Sequence, residues 1–154
     1  MMTEYSPRLF ADDAAVRRVG EGLLSRTLPR EEWTHEAHLA ACLWLLSERS
    51  DFAIETALPG TIRRYNESVG GVNDDTQGYH ETLTQLYIAG VRAWLCGDHL
   101  PATLVDRVNA LLASPIGERS WPLTLYSHQR LFSLNARRAL VPPDLGEWPG
   151  DERR

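Results

Sequence analysis

The feature that most narrows the fold of this chain is the spacing of its apolar residues. They recur three and four apart along most of the sequence, the helical repeat, and the two-residue alternation of a strand is nearly absent. The strongest instance is the segment HEAHLAACLWLL, residues 35–46. There His35, His38, Cys42 and Leu45 form an inward stripe that Leu39, Leu43 and Leu46 widen. Thr34 is a good N-cap for this helix, which is expected to run to about Arg49. Asp12 or Asp13 caps an earlier helix reaching about Thr27, with Val16, Val19, Leu23 and Leu24 on its apolar side.

A third helical segment is expected from Asp51, broken at Pro59-Gly60 and resumed over 61–67. Residues 68–78, SVGGVNDDTQG, are rich in turn formers and read as a loop, with Asn73-Asp74-Asp75 as capping residues rather than a calcium site. A fourth helix should span roughly 76–95, with His80, Leu83, Thr84, Tyr87, Val91, Trp94 and Leu95 on one face. Pro101 at a first-turn position opens a fifth, to about Ala113, and a shorter helix follows near 133–139. Only 123–126 hints at an extended piece. The expected architecture is an all-α, single-domain helical bundle over 1–154, with four main helices plus shorter C-terminal ones, and with 1–11 and 141–154 loosely ordered.

Composition excludes some functions. A chain of 154 residues, 43% hydrophobic and 24% charged, is long enough for one real core without a structural metal or disulfide. Its net charge of -5 argues against a nucleic-acid surface. All 16 basic residues are arginine, so Schiff-base lysine chemistry and a lysine-bearing P-loop are both excluded. Cys42 and Cys96 are far apart with no CxxC, and Cys42 falls in an apolar run, as a reduced core thiol does. The start MMTEYSPRLFADD has no signal-peptide pattern, and the longest apolar run, 39–46, is too short for a bilayer, so a cytoplasmic protein with no membrane partner is expected.

Two motifs carry the functional information: WTHEAH at 33–38 and GYHET at 78–82. His35 and His38 are three apart and share a helix face, so their imidazoles can converge on one ion. If the first four helices alternate in direction, the second and fourth start at the same end of the bundle, and His80 joins the pair at one level. Three imidazoles with an open position suit a divalent transition metal, zinc or iron first, with nickel or manganese as further choices. Glu36 and Glu81 each follow a histidine, about 100° around the helix, and so fit a supporting or acid–base role beside the metal. Arg63, Tyr79 and Asn66 are candidates for substrate binding, because they flank the glycine-rich loop. Trp33, Tyr79, Tyr87, Trp94 and Trp121 could line an aromatic pocket. His99 reads as a helix-end residue, and no spacing argument ties His128 to the site.

The segments EEWTHEAHLAACLWLL and IRRYNESVGGVNDDTQGYHETLT resemble a family of small bacterial proteins bearing WTHxAHL and GYHETLT motifs, over about 28–87, with a looser echo in YSHQRLFSLNARRALV. That resemblance implies a small helical protein and carries no catalytic assignment. In architecture the chain is also similar to the DinB-like metal-binding bundles, whose resemblance implies a metal held by three histidines. In those proteins a lone histidine precedes a pair four apart; here the pair comes first, at a spacing of three.

Two classes of function stay open at this point. One is a metal-dependent enzyme, a hydrolase or transferase acting on a small polar molecule before an iron oxygenase. The other is a non-catalytic binder, in which histidines and aromatics line a metal-free pocket for a small-molecule ligand or a partner helix. A homodimer is compatible with either.

Overall fold

The computed structural model describes residues 7–150. Every regular element among them is helical: α1 (Asp13–Ser25), α2 (His35–Glu48), α3 (Ile54–Ser68), α4 (Glu81–Leu95), α5 (Leu104–Ala113), and the short α6 (His128–Leu131) and α7 (Leu134–Arg138). Three single turns of 3-10 helix, Arg30–Glu32, Pro115–Gly117 and Trp121–Thr124, connect them. The all-helical expectation holds. The division into four main helices and minor ones does not describe α5, which packs into the same core through Leu104, Val108, Leu111 and Leu112. No helix among the described residues is long and apolar enough to cross a membrane.

The centre of the domain is α2. It is apolar on nearly every side, and such a helix is stable only when covered all round. Residues 39–45 are all buried, and α1, α4 and α5 pack against it. Gly20 sets the closeness of α1, because a Cβ there would sit 2.1 Å from the Trp44 ring. Thr34 caps α2 as its sequence suggests, accepting the Ala37 N–H at 3.2 Å, and Asp12 caps α1 by accepting from Ala15 at 2.8 Å.

Four sequence expectations are corrected. The third helix does not break at Pro59-Gly60 but runs unbroken through both. Pro59 has no N–H to give the Glu55 carbonyl one turn back. The side-chain amide of Gln85 on α4 donates to that carbonyl instead, at 2.9 Å, so a neighbouring helix supplies the missing bond. The fourth helix starts at Glu81, not near Thr76, because the preceding loop has a fixed shape of its own. Asn73 organises that loop, accepting from Asn66 Nδ2 and from the Tyr79 N–H, each at 3.0 Å, and donating to the Arg63 carbonyl at 3.0 Å. Gly78 adopts φ +82, and a Cβ there would lie 2.3 Å from the Val72 carbonyl oxygen. The fifth helix is capped by Thr103, leaving Pro101 outside it, and 123–126, expected to be extended, begins with the end of the 3-10 turn Trp121–Thr124 and continues as turn and bend.

A smaller cluster of Leu86, Tyr126 and Leu131 is covered by Trp121, Leu125, Val141 and Trp148. The expectation of loose ends at 1–11 and 141–154 falls partly outside the described residues. Within them, Phe10 exchanges two bonds with Asn109, at 2.9 and 3.0 Å, and the Leu145 N–H donates to the Leu125 carbonyl at 2.9 Å.

Candidate functional site: a cavity faced by three histidines

The first turns of α2 and α4 meet the second half of α3 and the last turns of α1 around a cavity of about 200 Å³. His35, His38 and His80 all line it, as do Asn66 and Tyr79. Trp33 and Tyr87 add aromatic wall, and Leu39, Leu58, Ile62 and Leu83 are among the aliphatic residues closing the rest. Of the remaining sequence candidates, Glu81, Glu36 and Arg63 are not in the wall.

The three imidazoles share the space and do different things in it. His80 is not inside a helix at all but is the N-cap of α4. Its Nδ1 accepts the Leu83 N–H at 3.1 Å, and its Nε2–H donates to the Leu131 carbonyl at 2.8 Å. A neutral imidazole has one lone pair and one N–H, and both are thus committed. Burial lowers its pKa, an effect the Leu131 carbonyl partly offsets.

The Nε2–H of His35 donates to the Gly117 carbonyl at 2.8 Å, tying the start of α2 to the turn after α5. Gly117 itself admits no side chain, since a Cβ would fall 2.0 Å from the Leu112 carbonyl oxygen.

His38 differs from both. It stacks on Trp33, with ring centroids 3.9 Å apart and planes at 29°, and Trp33 in turn meets the edge of Tyr65, whose hydroxyl donates to the Leu28 carbonyl at 2.8 Å. This chain of contacts fixes the ring. Among the described residues neither of its nitrogens has a hydrogen-bond partner. The side chain is exposed and forms part of the cavity lining. Desolvation, with His35 nearby as a second cause, lowers its pKa to about 4, so it is neutral near pH 7.

Around this centre, Tyr79 donates its hydroxyl to Glu81 at 2.5 Å, and the Arg63 guanidinium stacks over the Tyr79 ring at 4.3 Å. Burial, then the Glu81 carboxylate, raises the Tyr79 pKa, so Tyr79 stays a phenol. Glu36 is buried on another side of α2, where it accepts the Arg8 backbone N–H at 3.3 Å. Cys42 reaches the cavity one turn beyond His38, its thiol pushed up to about 12 by burial. Cys96 is exposed, and both cysteines are free.

Among the described residues no group of three or more His, Cys, Asp or Glu side chains is placed to hold a metal ion. His80 accounts for this on the side of α4, since the register that makes it a cap uses its lone pair. Sequence reasoning did not reach Gly117 and Leu131 as carbonyl partners, or Asn73 as the organiser of the closing loop. A backbone acceptor leaves no residue-type signal. Asn73 had one, an Asn in a turn-rich loop, but without a pointer to its distant partners. No protein-family model, curated protein or solved structure matches the chain.

Proposed function

We propose that the chain is a small-molecule-binding protein whose ligand occupies the cavity between the first turns of α2 and α4. One observation carries this reading: His38, a neutral imidazole stacked on Trp33 and without a hydrogen-bond partner among the described residues, lines an otherwise largely apolar cavity. A site with few polar groups set in an apolar wall is the usual form of a ligand pocket. The free cysteines fit the cytoplasmic location expected from sequence. The test is imidazole NMR on the intact protein during titration with neutral fragments of about ten heavy atoms or fewer, a size in keeping with the cavity. Ligands that shift the His38 ring signals, and leave those of His99 and His128 in place, support the reading. A library that moves no His38 signal removes it.

The second reading keeps the metal. His35 and His38, three apart, face one cavity, and a zinc or iron ion bridging them would serve a hydrolase or transferase with Glu81 or Glu36 as its acid–base group. It requires a third donor from outside the pair. Metal analysis of untagged protein decides it: about one equivalent, lost in His38→Ala and kept in His99→Ala, supports a metal centre, and a substoichiometric content in both rejects it.

A further inference from the structure

The walls of the same cavity say what kind of molecule fits. Resting on the binding reading above, we infer that the ligand is an uncharged, flat aromatic molecule, between benzene and indole in size, bearing one hydroxyl or ring N–H that pairs with His38.

Four features of the cavity support this. Its lining contains no Asp, Glu, Arg or Lys. An ion held against this lining would give up part of its hydration with no opposite charge to replace the loss, and such a transfer is unfavourable. Nor do His38 and Cys42 supply one: His38 is neutral near pH 7, and Cys42 keeps its proton. The ligand is therefore neutral.

The second feature is volume. A cavity of about 200 Å³ is somewhat larger than an engineered apolar cavity of roughly 150 Å³ that takes up benzene. One ring with a substituent, or a small fused pair, fills it. The third is shape. The stacked Trp33–His38 pair on one side and the rings of Tyr79 and Tyr87 elsewhere in the wall offer faces and edges, which favour another ring through offset or edge contacts.

The fourth is polarity. Neutral His38 presents one N–H and one lone pair, whichever tautomer it holds. A hydroxyl both donates and accepts, so it satisfies either tautomer. A molecule with no polar group leaves the imidazole unpaired, and a carboxylate brings the charge already excluded.

The experiment is isothermal titration of the full chain with phenol, benzene and benzoate, together with His38→Leu and, as a variant that keeps a hydrogen-bonding group, His38→Gln. Phenol should bind about fivefold or more tightly than benzene, the margin of one net hydrogen bond. Benzoate at the same concentrations should give no heat and should not displace phenol. The phenol–benzene gap should close in His38→Leu and persist in part in His38→Gln. In the unaltered protein, phenol should shift the His38 ring signals. Benzene and phenol binding equally, or benzoate binding as well as phenol, would overturn the ligand class while leaving the cavity as a binding site. No binding of any of the three, with the protein folded and with His38 unmoved, would overturn the ligand class and count against the binding reading too.

Discussion

The starts of α2 and α4 look alike in sequence, THEAH against YHETL, and the structure uses their histidines in opposite ways. Thr34 caps α2, which puts His35 in its first position and His38 one turn inside. In α4 the histidine itself occupies the cap position, one residue before the helix. That shift of register decides the chemistry. His80 gives both nitrogens to the backbone and joins α4 to α6, whereas His38 gives neither and faces the cavity. An imidazole near a helix start is thus a structural clip or an available polar group according to where the cap falls. Residue type and spacing alone do not separate the two.

The comparison breaks or holds first on stability. His80→Ala removes the acceptor for the Leu83 N–H and leaves the buried Leu131 carbonyl without its donor. A lost cap and an unsatisfied carbonyl together should cost about 2–4 kcal/mol in urea denaturation. His80→Asn restores the capping oxygen but does not reach Leu131, so it should recover part of the loss. A change under about 1 kcal/mol for His80→Ala would mean that His80 is not the clip described here.

Acid sharpens the contrast. His38 titrates near 4 in the folded protein against 6.5 ordinarily. Its pKa is lowered, so the unfolded chain binds the extra proton throughout that interval. Stability is therefore complete above about pH 6.5 and is lost as pH falls toward about 4, where the folded protein takes up the proton too. His80, also lowered by burial, acts with the same sign. The dependence of the urea midpoint on pH should show proton uptake on unfolding, and His38→Leu should reduce that uptake by at most about one proton. An unchanged slope in His38→Leu would place the ring in ordinary solvent.

Thr34→Ala tests the other cap. It removes one acceptor for the Ala37 N–H and nothing buried beyond it, so a loss of about 1 kcal/mol is expected, well below that of His80→Ala. Equal losses would erase the distinction between a simple cap and a cap that also bridges elements.

Much of the helical layout was legible because it depends on local rules. Helical periodicity marked α1 to α4, and Asp12 and Thr34 cap where short polar side chains should. The misreadings share one cause, a tertiary partner replacing a local signal. Pro59 reads as a break until Gln85 supplies the bond that proline cannot make. Residues 76–80 read as helix until Asn73 and Gly78 hold them as loop. The site was legible to the extent that His35, His38, His80, Asn66 and Tyr79 share one cavity. The different duties of the histidines were not legible, because they depend on carbonyls at Gly117 and Leu131, far along the chain.

The smallest expected effect is also the most discriminating. His38→Leu removes no hydrogen bond to any described residue and replaces an imidazole of the cavity lining with an apolar side chain of similar reach. It does forfeit the stack on Trp33. The stack is worth about 0.5–1.5 kcal/mol, and the apolar contact that leucine gains with the cavity wall offsets part of it. The net change in urea stability near pH 7 should lie within about 0.5 kcal/mol of zero. A residue kept for packing would cost several times that when replaced by a side chain of different shape. Near-neutral stability, with loss of the preference for a hydroxyl-bearing ring, is the pattern of a group held in place for what enters the cavity. A loss comparable to that of His80→Ala would make the two histidines equivalent clips, and the contrast between the two helix starts would disappear.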